Sequence, residues 1–155
     1  MQRVKSAKVG ITLLMIGVVS AFVWWYSAGY SFLAWYWAYQ ISALVYAILM
    51  VAPSFVISIV GLTVYIVCRK EFWKSLQRGK SLLALGSLAY MFVGGFFFGW
   101  TWAFSAYGAS KLQPPYALPL TYYVVNNLPY FTLFALWFAA GLLVLTDAVE
   151  AHWKA

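Results

Sequence analysis

The sequence predicts an all-α integral membrane protein, a bundle of four transmembrane helices in two helical hairpins with both termini on the cytoplasmic side. Three observations carry this prediction. First, of 155 residues 65% are hydrophobic and 8% charged, against about 25% charged in soluble domains, so the bilayer must be the solvent for most of the surface. Second, the apolar residues fall into four runs long enough for helices of about 20 residues each, the length that crosses a hydrocarbon core. Third, the charges cluster. Arg69 to Lys80 reads RKEFWKSLQRGK, and the chain between Lys8 and Arg69 carries no charge at all.

The net charge of +7 would suggest nucleic acid in a soluble protein. Here the basic residues stand at the ends of apolar runs, which makes them topology signals and contacts for lipid headgroups, with no nucleic-acid partner expected. Arg3, Lys5 and Lys8 lie before the first run. Arg69, Lys70, Lys74, Arg78 and Lys80 lie in the central segment, and Lys154 in the tail. Only Lys111 falls on the other side. That asymmetry predicts N-in/C-in topology.

The first span is expected at about residues 9–28. It is too long for a signal-peptide core and lacks a convincing cleavage site, so it is read as a retained anchor. Gly10 and Gly17 share one face of it, where small residues let a second helix approach. Trp24, Trp25 and Tyr26 suit the headgroup level. Residues 27–31, with Gly29, are expected to turn. The next apolar stretch, from Phe32 to Cys68, would make a helix of about 55 Å. Its aromatic opening, FLAWYWAYQ, is therefore assigned to the interface and the second span to about residues 41–68, with a kink expected at Pro53.

Residues 69–80 are read as a basic cytoplasmic loop. Phe72, Trp73 and Leu76 suggest a short amphipathic turn in the interface, and Gly79 the return of the chain. The third span, about residues 81–106, carries Gly95, Gly99 and Ala103 at i, i+4 and i+8, a small-residue stripe expected to pack against another helix of this chain. Pro114, Pro115 and Pro119 predict an extended outer loop. The fourth span is expected at about residues 128–148, with Pro129 in its first turn and Asn127 as its cap. The alternative is a helix beginning near Leu120 and kinking at Pro129, which places Asn126 and Asn127 inside the membrane.

Chemistry is sparse. The single Cys68 and single His152 leave no intrachain disulfide, multi-cysteine metal site or haem held between two histidines of the chain. Asp147, Glu150 and His152 are weak metal candidates, read as a solvated helix end because His152 points away from the face shared by the two acids. The span interiors hold no charged side chain, so a proton relay has no evident carrier. A neutral pathway would use Thr101, Ser105, Tyr107 and the two asparagines. No cofactor is expected. These features predict a non-catalytic accessory or structural subunit of a larger integral-membrane complex, with lipids and other membrane subunits as partners. The alternatives are a stand-alone carrier or channel for a neutral or hydrophobic solute, or a lipid- or quinone-binding module.

Overall fold

The computed structural model describes residues 2–76, 78–111 and 118–153. Those residues form five helices and no strand: α1 (Gln2–Tyr39), α2 (Ala43–Ser75), α3 (Lys80–Lys111), α4 (Leu120–Asn126) and α5 (Leu128–Trp153). All but α4 are long and apolar enough to cross a membrane. Their outer faces carry bare apolar side chains such as Val19, Val67, Leu82 and Phe92. Such faces are stable in lipid and costly in water. The chain is a multi-pass membrane protein.

The elements run longer than expected, and each extension has a local cause. α1 does not turn at residues 27–31. Ser27 donates to the carbonyl of Val23 at 2.7 Å, and one glycine does not stop a helix whose backbone has no water to bond instead. Gly29 faces α2, its Cβ position 3.5 Å from the Met50 methyl. The FLAWYWAY stretch thus belongs to α1, which reaches about 57 Å at 1.5 Å per residue. The turn comes at Gln40, with φ of 50°. Ser42 then caps α2, its hydroxyl accepting from the Val45 N–H at 3.2 Å.

α2 stays helical through Pro53. A proline has no N–H for the carbonyl four residues back, here that of Leu49. The Trp24 indole supplies the missing donor, bonding the Leu49 carbonyl at 3.0 Å. Trp25 bonds the next carbonyl, Met50, at 3.1 Å. Residues 69–75, expected in a loop, continue α2 instead. Phe72 and Trp73 are buried in a cluster with Tyr65, Cys68 and Ala148, and this packing carries the helix past the end of the apolar run. The link to α3 shrinks to residues 76–79, where Gly79 takes φ of +87°, a backbone conformation that favours glycine.

α1 packs antiparallel on α2 through small residues. A Cβ on Gly10 would lie 2.7 Å from the Tyr65 nitrogen, and one on Gly61 2.8 Å from the Gly10 carbonyl oxygen. Gly17 sits against Ser58, and the Ser20 and Ser54 hydroxyls bond at 3.2 Å. α3 packs on α5 in the same way. A Cβ on Gly94 would lie 2.6 Å from the Phe138 nitrogen, and one on Gly141 2.8 Å from the Met91 nitrogen. Buried hydrogen bonds join the two pairs: Trp137 donates to Ser58 at 2.9 Å and Tyr90 to the Leu14 carbonyl at 3.2 Å.

The last long apolar helix, α5, starts at Leu128 with Pro129 in its first turn, and a separate short helix, α4, leads into it from Leu120. The Asn127 N–H bonds Tyr123 at 3.0 Å and its carbonyl accepts from Phe131 at 3.1 Å, so helical bonding passes through the α4–α5 joint. Pro129 explains the break, because it leaves the Val125 carbonyl without its usual donor. Of the expected proline loop, Pro114 and Pro115 lie outside the described residues, and Pro119 is extended with ψ of 154°.

Candidate functional site

The bundle has two chemically opposite ends. At the end carrying the α1–α2 turn, helices α1 to α5 line an open cleft of about 680 Å³, within the range of small-molecule sites, about 300–1,000 Å³. Its walls are aromatic: Trp25 and Tyr36 from α1, Tyr46 from α2, Phe97 and Trp100 from α3, and Tyr130 and Phe134 from α5. No charged side chain lines it among the described residues. The rings hold one another. Trp25 meets Tyr130 edge-on at 6.2 Å between centroids, and Phe97 stacks on Phe134 at 5.5 Å. Such pairs fix ring orientation by about 0.5–1.5 kcal/mol each beyond area burial.

Besides the tyrosine hydroxyls, polar side chains line this aromatic box where α3 meets the α4–α5 joint. Asn127 donates from Nδ2 to the Ser105 hydroxyl at 3.0 Å. Ser105, fully buried, donates to the Thr101 carbonyl at 2.8 Å. Asn126 donates to the Tyr122 carbonyl at 2.7 Å. Each amide spends donor capacity on the protein and keeps an acceptor oxygen. Thr101, Asn126 and Asn127 line the cavity. Of the sequence's neutral polar set, the structure thus brings together Thr101, Ser105 and the asparagines. Tyr107 is 64% exposed and stands apart. Asn127 holds α3 with its side chain and does not cap α5. Tyr36, Tyr46 and Tyr122 had no signal in the sequence beyond general aromatic richness, since three separate helices deliver them.

The opposite end is basic. Asp147, expected to be solvated, is the centre of a network. It accepts from the Tyr65 hydroxyl at 2.7 Å and from Arg69 at 3.1 Å. Tyr65 in turn accepts from the Trp73 indole at 2.8 Å. The Asp147 side chain is only 14% exposed. Arg69, expected to face headgroups, is thus an ion-pair partner tying α2 to α5. Lys70 and Lys74 are exposed on the last turns of α2, Arg78 in the link, and Lys80 opens α3. Nearby, Arg3 pairs with Glu71 at 2.8 Å. The Glu71 carboxyl lies below the usual carboxylate range, through its own backbone N–H and then the Arg3 guanidinium.

The remaining candidates separate. Asp147 and Glu150 face one cavity, and His152 lies in a shallower one beside Trp153. No three His, Cys, Asp or Glu side chains are grouped to hold a metal ion among the described residues. In the small-residue stripe, a Cβ on Gly95 would make ordinary contact with the Phe138 ring at 3.4 Å, whereas Gly99 faces open space. Ala103 is exposed. The close approach of α3 to α5 falls instead on Gly94, one residue before the stripe. No protein-family model, curated protein or solved structure matches this chain.

Proposed function

We propose that this chain is a non-catalytic membrane subunit that holds a neutral, ring-bearing amphiphile of the lipid or quinone class in its aromatic cavity. The carrying observation is a cavity of about 680 Å³ whose walls combine stacked rings with amide and hydroxyl groups and, among the described residues, no charge. Flat rings favour stacking against a planar or isoprenoid ligand, and the amide oxygens and tyrosine hydroxyls suit carbonyl or hydroxyl groups on it. We further place α1 with α2, and α3 with α5, as two hairpins, with both termini cytoplasmic. The support is the antiparallel packing within each pair and the basic residues gathered at one end.

Ala43 lines the cavity at the start of α2, so Ala43→Trp narrows it with little demand on the core. Extraction in mild detergent followed by native mass spectrometry should find one neutral amphiphile per wild-type chain. Titration with a short-chain quinone should quench tryptophan fluorescence, with at least tenfold weaker binding in the folded Ala43→Trp variant. Equal binding by the two proteins would refute the assignment. Quinone or solute flux through liposomes holding the chain alone would favour a carrier.

A second reading, an accessory subunit of a larger membrane complex, is favoured by a different observation. The end of α1 exposes Tyr30, Trp35, Trp37 and Tyr39, and Gly99 borders open space. On this reading Gly99→Leu leaves the isolated chain unaltered and releases it from co-purifying subunits. Unchanged complex size would count against it.

A further inference from the structure

We propose that the basic end of the bundle is a seat for the phosphate group of an anionic membrane lipid, separate from the aromatic cavity. A second cavity, of about 550 Å³, lies between the C-terminal turns of α2, the start of α3 and the end of α5. Four cationic side chains, Arg69, Lys70, Lys74 and Lys80, line it against two acids, Asp147 and Glu150. The geometry decides how that charge is distributed. Asp147 is already neutralised by Arg69 at 3.1 Å and takes the Tyr65 hydroxyl on its second oxygen at 2.7 Å. It therefore does not compete for the lysines.

Lys80 is fixed in place. Its ammonium donates to the Ala151 carbonyl at 2.8 Å, which uses one of three donors and leaves two for a ligand. Lys70 and Lys74 stand four residues apart, so they share the face of α2 that borders the cavity. Trp73 also lines it, with its indole N–H committed to Tyr65, so it offers a ring and no donor. Ammonium groups beside an apolar ring match a phosphate attached to a glycerol and its chains.

The level is also right for a lipid. The apolar run of α2 ends at Cys68, immediately before Arg69, and Val67 and Leu82, close in sequence to the lining residues Lys70 and Lys80, expose apolar side chains at 65% and 74%. These put the cavity at the boundary between hydrocarbon and headgroups. A lysine cluster serving only to set topology would need no concave cleft and no anchored ammonium.

The test is lipid binding to the full chain in nanodiscs and by native mass spectrometry, comparing phosphatidylglycerol with phosphatidylcholine. The wild-type chain should retain one phosphatidylglycerol through delipidation. Lys70→Gln with Lys74→Gln should weaken that binding at least tenfold, and so should Lys80→Gln, while Lys80→Arg retains it. The control Lys5→Gln with Lys8→Gln, which removes equal charge outside the cavity, should leave it unchanged. Circular dichroism confirms that each variant folds. Equal loss in the control would reduce the effect to net charge and overturn the proposal. Displacement of the lipid by millimolar inorganic phosphate or glycerol phosphate would show that a soluble phosphate suffices and overturn the lipid assignment. Loss of the lipid with quinone binding intact would separate this seat from the aromatic cavity.

Discussion

Replacing Gly94 and Gly99 separately by alanine tests the account of how α3 meets α5. Both substitutions add one methyl to the same helix, and both gain a similar amount of intrinsic helix preference, about 1 kcal/mol. Their surroundings differ. At Gly94 the methyl would lie 2.6 Å from the Phe138 nitrogen and 2.8 Å from the Phe134 carbonyl oxygen. Both are backbone atoms, which cannot rotate aside, so α3 must move from α5 by roughly 1 Å to reach ordinary carbon contact near 3.5 Å. Gly141 against the Met91 nitrogen at 2.8 Å makes a second rigid contact on the same seam, so the shift cannot be absorbed by a local tilt. Overpacking of this kind costs about 1–3 kcal/mol. At Gly99 no atom lies within 4 Å, and the clash cost is nil. The expected difference in unfolding free energy between the two variants is therefore about 2 kcal/mol, with Gly94→Ala the weaker. Steric trapping or denaturant titration in bicelles measures it. Equal stability, or a larger loss at Gly99, would refute this packing of α3.

Two further outcomes follow from hydrogen bonds. Trp24→Phe removes the donor that serves the Leu49 carbonyl and should cost about 1 kcal/mol. In a Pro53→Ala background the restored backbone N–H serves that carbonyl, so the same change should cost less than about 0.5 kcal/mol; a double-mutant cycle without coupling would reject the pairing. Asp147→Ala strands both Arg69 and Tyr65 and should cost about 2 kcal/mol, below the 3–5 of a fully buried pair because Arg69 is 32% exposed. Asp147→Asn keeps an acceptor oxygen and should lose about half as much, and identical losses would deny the carboxylate any special role.

The sequence carried the number of spans, because four apolar runs separated by charge admit few other arrangements. Their ends were harder to read. Gly29 resembles a turn in isolation, yet the helix passes through it, and the actual turn is made by Gln40 and the Ser42 cap inside an apolar stretch. Residues 69–75 resemble a loop in sequence because their charges are local, whereas the packing of Phe72 and Trp73 with Tyr65 that keeps them helical is a tertiary contact. Asp147 looked solvated because its partners lie 78 and 82 residues away, beyond any local pattern. The glycine stripe was visible, but the face it presents depends on helix rotation, and Gly94 rather than Gly99 meets α5. Thr101, Ser105 and the asparagines could be singled out as neutral polar groups; their convergence with rings from α1 and α2 is a product of tertiary packing.

The indole on the Leu49 carbonyl has a mechanical meaning. A proline in a membrane helix ordinarily makes a hinge, since the freed carbonyl lets the two halves swing. Here the neighbouring helix grips that carbonyl, so α2 cannot bend at Pro53 without breaking a bond to α1, and the pair behaves as a splinted beam. At the second proline, Pro129, the freed Val125 carbonyl is served from within the joint itself, by the Asn127 backbone N–H. The two prolines are thus satisfied differently, one across a helix pair and one locally, and since α4 brings Tyr122, Tyr123 and Asn126 to the aromatic cavity, the local turn at Asn127 sets where those groups stand in its wall.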